Sequence, residues 1–378
     1  MTHKKVVILA AGGTGGHLFP AEALAVELRR RGYDVHLATD ERARRFVRHF
    51  DEEHVHIISS ATLKRRCPFA LIKTFWHILK GMGQSWLLFR KLRPALVGGF
   101  GGYPSFPPVL ISTFMGYITF IHEQNAVMGR ANRMLAARVN AIAGGLLSMD
   151  SVYTHKMFLT GNPIRDAILK AAEIPYSPSM GEEPFHFLVF GGSQGASFFS
   201  QVVPEAIALL DEKLRKRLRI VQQTCGESEN LAKIYADMGV QAEIAPFFDD
   251  MAERIARSHF IMSRAGASTV CEIAVIGRPA LLIPYPQALD HDQAENAAIL
   301  AETGGAEIMR EKDLNAQTLA SFLTKICYEP HLLTKQAMAA KKAGKSHATN
   351  LLAHVAEGLI AGQSLSDIKR EFWDENAA

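Results

Sequence analysis

The chain has 378 residues, 48% of them apolar, with a formal net charge of +4. That length suits two domains better than one, and that apolar share excludes global disorder and supports a full core. The charge is uneven: residues 1–162 carry 21 Lys and Arg against 10 Asp and Glu (+11), and the rest carries 21 against 28 (−7).

In chain order, the basic start Met1–Lys5 leads into the apolar run Val6–Ala11 and then Gly12-Gly13-Thr14-Gly15-Gly16-His17. The run is shorter than the ~7–15 residues of a signal-peptide core and ends in glycines, so it reads as a buried strand of a cytosolic protein. The glycine loop that follows lets backbone N–H groups approach an anion, with a helix behind it over Pro20–Arg31. The loop is a poor G-x-G-x-x-G, and only Asp40 stands near the place of a ribose-binding acid. Further strands are expected at Tyr33–Ala38, Val55–Ile58, Ala95–Val97, Tyr117–Ile121 and Ala141–Ala143. Strands alternating with helices predict a parallel sheet covered on both faces.

Between the expected strands Val55–Ile58 and Ala95–Val97 lies a stripe at helical spacing: Ile72, Phe75, Trp76, Leu79, Met82 and Trp86. Basic residues cluster at its ends, with Lys64, Arg65 and Arg66 upstream and Arg90, Lys91 and Arg93 downstream. Such a stripe faces either the protein core or a membrane surface. The two tryptophans, the flanking charge and the +11 balance favour reversible attachment to an anionic membrane. Gly98-Gly99-Phe100-Gly101-Gly102-Tyr103 adds a second glycine loop and widens the anion-binding floor. Residues 106–121 are too short for a span and begin with two prolines after Phe106, so they read as a buried helix and a strand. His122-Glu123-Gln124-Asn125 ends that strand, where open α/β sheets bind ligands.

Gly161-Asn162-Pro163 closes this half. Residues 163–184, with four prolines, read as a linker between domains at 1–162 and 185–345. The second domain repeats the pattern, with strands at Phe187–Phe190, Arg219–Gln222, Glu243–Ala245, Phe260–Met262 and Ala280–Ile283. Its first strand enters Gly191-Gly192-Ser193-Gln194-Gly195. Two strand-to-glycine-loop units predict two nucleotide-fold domains facing across a cleft that holds a phosphorylated ligand. Ser263–Thr269 is a small-residue turn into a helix whose positive end suits a diphosphate, with Glu272 on its first turn as a ribose acceptor or a dipole partner. Asp290-His291-Asp292-Gln293 crowds another strand end. A lone D-x-D without further ligands does not make a metal site. Residues 346–378 read as a helix (Ser346–Ile360) and a polar tail with little need to pack. Four scattered cysteines fit a reducing compartment.

Taken together, G-G-T-G-G-H, the G-G-Y at Tyr103, H-E-Q-N, G-N-P-I-R ending at Arg165, G-G-S-Q-G-A, R-A-G-A-S-T-V-C-E and D-Q-A-E-N-A resemble the motif series of glycosyltransferase family 28. They fall in family order over residues 6 to about 300. The resemblance implies the GT-B fold, two Rossmann-like doubly wound parallel-sheet domains. It implies an inverting hexosyltransferase of peptidoglycan synthesis, moving GlcNAc from UDP-GlcNAc to the MurNAc 4-hydroxyl of lipid I (undecaprenyl-pyrophosphoryl-MurNAc-pentapeptide) to give lipid II. Donor contacts so implied are Thr14, Gly15, Gly16, Asn125, Arg165, Ser193, Glu272 and Gln293. Gly13, Gly101, Gly102 and Tyr103 are implied as the acceptor diphosphate floor, although Phe106-Pro107 stands where the family often has Ser-Gly-Pro. His17 and Glu123 compete as the base. The same resemblance implies no metal, no cofactor and no nucleic acid. The stripe Ile72, Phe75, Trp76, Leu79 and Trp86 is expected to hold the chain on the cytoplasmic face of the inner membrane, with other cell-wall or division proteins as further partners. A UDP-GlcNAc 2-epimerase on the same fold is the alternative, and a nicotinamide-dependent dehydrogenase and an inactive division scaffold are the rivals from other classes.

Overall fold

The computed structural model describes residues 4–43, 50–61, 68–192, 197–226, 228–288 and 292–377. The chain forms two units, one of residues 1–165 with 347–378 and the other of residues 166–346. In the first unit the short apolar runs become β1 (Val6–Ala10), β2 (Asp34–Thr39), β3 (Val55–Ile57), β4 (Leu96–Gly99), β5 (Thr119–Glu123), β6 (Ala141–Gly144) and β7 (Met157–Phe158). Their connections carry α1 (Gly15–Arg30), α2 (Pro68–Leu92), α3 (Phe106–Phe114) and α4 (Arg130–Leu135). The strands pair in parallel in the order β3-β2-β1-β4-β5-β6-β7. Because successive strand residues face opposite ways, Val7 and Leu9 join one core with α1, while Ile8 and Ala10 join another with Phe89 and Val109. The order reverses between β1 and β4, so the loops after these strands flank the switch point where such sheets bind ligands.

The helix after the first glycine loop starts at Gly15, five residues before the predicted Pro20, which lies inside it. This shift matters, because it turns Gly15, Gly16 and His17 from loop residues into the first turn of a helix.

The second unit contains α5 (Asp166–Ala171), β8 (Phe185–Phe190), α6 (Ser197–Ala208), α7 (Glu212–Arg217), β9 (Leu218–Gln223), α8 (Ser228–Asp237), β10 (Gln241–Ala245), α9 (Met251–Arg257), β11 (Phe260–Ser263), α10 (Ala267–Ile276), β12 (Ala280–Leu282), α11 (Asp292–Glu302), β13 (Ala306–Ile308), α12 (Ala316–Tyr328) and α13 (Pro330–Ala343). Its parallel order, β10-β9-β8-β11-β12-β13, repeats the reversal, here between β8 and β11. The expected linker is not a loose connection. From Asp166 onward it packs on this unit, where buried Arg278 donates to the Ile174 carbonyl and Tyr176 donates to the His259 carbonyl.

The C-terminal segment also differs from expectation. The expected helix forms as α14 (Ala348–Ile360), but the polar tail is helical too, as α15 (Leu365–Ala377), and both belong to the first unit. Leu351, Leu352, Val355 and Ile368 are buried in the core with Val7 and Leu9. Thr349 locks the strap by exchanging hydrogen bonds with the backbone N–H and carbonyl of Ile164, at 2.8 and 3.0 Å. The segment from Ser364 therefore packs, despite its polar composition, because Ile368 is an anchor and Lys369 reaches the Thr154 carbonyl at 2.7 Å.

Candidate active site

In the first unit, the polar side chains gather at the carboxyl ends of β1, β2, β4 and β5. Gly13 has φ +85°, and its N–H donates to Asp40 Oδ1 at 3.0 Å. Asp40 also accepts from Arg42 at 2.7 Å, so it organises the glycine loop rather than standing open for a ribose. Thr14 caps α1 in extended conformation without a side-chain capping bond, which leaves the helix start to backbone N–H groups. Gly15 is needed because a Cβ there would lie 2.8 Å from the Phe19 ring. That ring in turn carries the Arg165 guanidinium, 4.4 Å from its centroid. The sequence-predicted donor residues Thr14, Gly15, Gly16 and Arg165 are thus grouped at the start of α1.

His17 stands one residue further along. Its Nδ1 lies 3.0 Å from Gln124 Oε1. Gln124 Nε2 donates to the Phe100 carbonyl at 3.0 Å and to His122 Nδ1 at 3.1 Å. With its amide nitrogen spent on two acceptors, Gln124 offers only its oxygen to His17, so Nδ1 carries the His17 proton and Nε2 is the basic nitrogen. His122 completes the chain through Nε2 to the Gly161 carbonyl at 3.1 Å. Complete burial pushes its pKa down to about 4, which keeps it neutral in this relay. The loop after β4 abuts the same imidazole: a Cβ on Gly101 or Gly102 would lie 3.3 or 3.1 Å from the His17 ring. Both glycines have positive φ, and Tyr103 follows at once.

Glu123 is placed differently. Its Oε1 accepts from the backbone N–H and side-chain amide of Asn125, at 3.1 and 3.0 Å. Its Oε2 accepts from Gly129 N at 2.9 Å and from Asn132 Nδ2 at 2.8 Å. A buried carboxylate holding four donors organises the 124–129 turn. Asn132, Gln124 and Asn162 hold this end of the sheet together and had no assigned role in the sequence. Asn162 donates to the Gln124 carbonyl at 3.1 Å and fills the space that makes Gly145 a glycine.

In the second unit, β11 leads through buried Arg264 and Ala265 to Gly266, the N-cap of α10. Gln293 Oε1 accepts from Ala265 N at 3.2 Å and from Tyr285 N at 2.9 Å, and Asn296 Nδ2 donates to the Ala265 carbonyl at 3.2 Å. Two side chains one turn apart on α11 therefore grip both backbone groups of Ala265 and fix the start of α10. Arg264 is structural here, since it pairs with Glu311. Glu272 is the sixth residue of α10, in its second turn rather than the predicted first, because the helix begins at Ala267. Gly191, at the end of β8, donates to Gln223 Oε1 at 3.2 Å. Ser193 and Asp290 lie outside the described residues.

The predicted apolar stripe lies on α2, and the structure leaves it outward. Phe75 is 62% and Trp76 68% exposed, and Ile72, Leu79, Trp86 and Leu87 are exposed beside them. The opposite side of α2 buries Thr74, Gly81, Ser85 and Phe89. Gly81 packs so closely that a Cβ would meet the Ser59 carbonyl at 2.1 Å. Small and polar residues thus face inward on much of this helix, and large apolar ones face solvent. No helix among the described residues is long and apolar enough to cross a membrane.

Comparison with known proteins agrees with this layout. Residues 7–144 match the glycosyltransferase family 28 N-terminal domain, and residues 186–352 match the family 28 C-terminal domain. A relative from Bartonella bacilliformis, the UDP-N-acetylglucosamine–N-acetylmuramyl-(pentapeptide) pyrophosphoryl-undecaprenol N-acetylglucosamine transferase, is 74% identical over the full length of both chains. The crystal structure of Acinetobacter baumannii MurG superposes with a TM-score of 0.73 at 27% identity, over 93% of this chain and 98% of that one. A Neisseria meningitidis UDP-GlcNAc 2-epimerase shares the fold at a TM-score of 0.64 but only 13% identity, over 92% of this chain and 98% of that one. The chain belongs to glycosyltransferase family 28.

Proposed function

We propose that this chain transfers N-acetylglucosamine from UDP-GlcNAc to the MurNAc 4-hydroxyl of lipid I, with His17 as the base. The full-length 74% relative carries that activity in its name, whereas the epimerase likeness is one of fold alone. The observation that carries the chemistry is the Gln124 contact to His17 Nδ1, which turns Nε2 into the proton acceptor. In the reaction, Nε2 takes the proton of the acceptor hydroxyl as its oxygen forms a bond to C1 of GlcNAc. The bond from C1 to the diphosphate breaks with inversion, and UDP leaves with the electron pair. In the second unit, backbone N–H groups at the start of α10 suit the departing diphosphate, and in the first unit the Arg165 guanidinium is a donor contact that the family resemblance implies. Gln293 and Glu272 serve the donor from the second unit, as do Thr14, Gly15, Gly16 and Asn125 from the first. Gly13, Gly101, Gly102 and Tyr103 form the floor for the acceptor diphosphate. Ser193 completes the donor set from sequence.

The acceptor lies in a membrane, and the outward face of α2 supports attachment to the cytoplasmic face of the inner membrane. Exposed aromatic and aliphatic side chains enter the headgroup region, while Lys80, Arg90 and Lys91 add ~1 kcal/mol each near an anionic surface.

The test is steady-state transfer to a short-chain lipid I analogue. His17→Asn should lower kcat by about 10²–10⁴-fold, the usual worth of a general base, with donor KM little changed. Wild-type kcat in this variant would remove His17 from the role.

A further inference from the structure

At the opposite end of β2 from the glycine loops, four side chains converge that the transfer reaction does not use. Asp34 opens the strand, and His36 follows on the same face. His56 comes from the neighbouring edge strand, where it registers with Ala38, and His54 comes from the short turn before that strand. Asp34 Oδ2 lies 3.4 Å from His36 Nε2, and Asp34 Oδ1 lies 3.2 Å from His54 Nε2. One ligand atom each from Asp34, His36 and His54 can be chosen so that all lie within 4.8 Å of one another. Behind them, His36 Nδ1 and His56 Nε2 are 3.0 Å apart.

The spacing is informative. A charge-assisted hydrogen bond to a carboxylate closes to ~2.7–2.9 Å, and both contacts to Asp34 are longer. A tetrahedral ion with bonds of about 2.0–2.1 Å has ligand-to-ligand edges of about 3.3 Å; the contacts of Asp34 Oδ2 to His36 Nε2 and of Asp34 Oδ1 to His54 Nε2 are of that length, one on each oxygen of the carboxylate. The second contact of His36 also fits a metal ligand. When its Nδ1 proton is given to His56, Nε2 presents its lone pair towards Asp34, and outer hydrogen bonds of this kind orient metal-bound imidazoles. Packing alone gives no reason to gather three imidazoles, with His36 tilted against His54 at 4.7 Å between centres and stacked on His56 at 5.1 Å. Nearby charges pull both ways: Asp51 and Glu53 approach His54 Nδ1 at 4.0 and 3.8 Å, while Arg29 acts on Asp34 and Lys91 on His56.

We infer that Asp34, His36 and His54 form a binding site for a divalent first-row transition ion of the zinc class, with His56 as outer support. Two imidazoles and one carboxylate suit such an ion better than magnesium or calcium, which prefer oxygen ligands. Three protein ligands leave a fourth position for water. Asp34 and Asp40 are six residues apart on an extended strand, about 20 Å at ~3.3 Å per residue, so the ion would sit remote from the sugar chemistry. Its effect would be to pin the three-residue edge strand and its preceding turn to β2.

The experiment is calorimetric titration of the untagged full chain with zinc chloride, repeated with cobalt(II) and magnesium, alongside thermal unfolding with and without zinc. One zinc should bind per chain and raise the melting temperature of the first unit. His54→Asn and Asp34→Asn, each checked for folding by circular dichroism, should weaken zinc binding at least tenfold and leave GlcNAc transfer unchanged. Should either variant fail to fold, the wild-type His36 and His54 ring resonances, followed by NMR, should shift on zinc addition. Absence of zinc binding, equal affinity in the folded variants, magnesium binding as tight as zinc, or ring resonances that stay still while other histidines move would each overturn the site.

Discussion

At the scale of single residues, the site separates two groups, from two different motifs, that compete as the base in the sequence. His17, in the first turn of α1, and Glu123, the last residue of β5, both stand at the ligand-binding end of the sheet. Only the hydrogen-bond pattern divides their work, and no spacing rule reveals it: Glu123 holds four donors, whereas His17 is held at one nitrogen by Gln124. Glu123→Gln should therefore behave as a folding variant. Its new NH₂ would face Gly129 N or Asn132 Nδ2 and lose ~1–3 kcal/mol of stability, read as a lower melting temperature. An unchanged melting temperature would contradict the loop-organising role. The place of Glu272 on the helix after β11 is legible in the sequence, but its turn on α10 is not, because the start of α10 is set by Gln293 and Asn296 gripping Ala265 from another helix. Glu272→Ala should raise the donor KM about tenfold to a hundredfold, the cost of ~1.5–3 kcal/mol for a lost hydrogen bond to a charged group. Unchanged donor kinetics in the folded variant would defeat that assignment. His122 adds a pH dependence. Its folded pKa of about 4 lies below the ~6.5 of an unfolded histidine, so the unfolded chain binds the extra proton between these values. The stability that His122 contributes, on the order of 3 kcal/mol, is present above pH 6.5 and is lost as pH falls towards 4. Urea midpoints of the first unit should drop over that window, and a flat profile would show that His122 is not held neutral.

At the scale of elements, alternation was enough to find most strands and to predict parallel sheets, since each strand is a short apolar run bounded by glycine or polar residues. What escaped were β7 and β13, two and three residues long, which carry too little pattern to stand out. The docking of the polar tail is hidden in the sequence for a different reason. A polar, charged segment gives no sign that one isoleucine is enough to dock it, and Ile368 acquires its core only after the chain has returned to β1 and β4. The stripe on α2 was legible as a stripe, but periodicity cannot say which face a helix buries. The structure answers through Gly81 and Ser85, which let α2 sit tightly with its large apolar side chains outward. A Phe75/Trp76/Leu79 triple serine variant should keep its fold, because those side chains are exposed, and should lose flotation with anionic liposomes at low salt. Flotation equal to wild type would reject α2 as the membrane contact.

At the scale of the whole molecule, each unit carries the same switch-point architecture, and the chemistry is divided between different end loops. The basic N-terminal half bears the imidazole, the glycine floor and α2, which suits an anionic lipid acceptor at an anionic surface. The more acidic second half offers the start of α10, whose positive dipole end suits the diphosphate of the proposed donor. The most direct measurement is incubation with radiolabelled UDP-GlcNAc and a short-chain lipid I analogue, with and without EDTA, followed by separation of products. The account predicts label in a β-1,4-linked disaccharide on the lipid, equimolar UDP, and activity largely kept in EDTA. Label appearing in a UDP-linked epimer, or no transfer to the lipid by the folded protein, would contradict it.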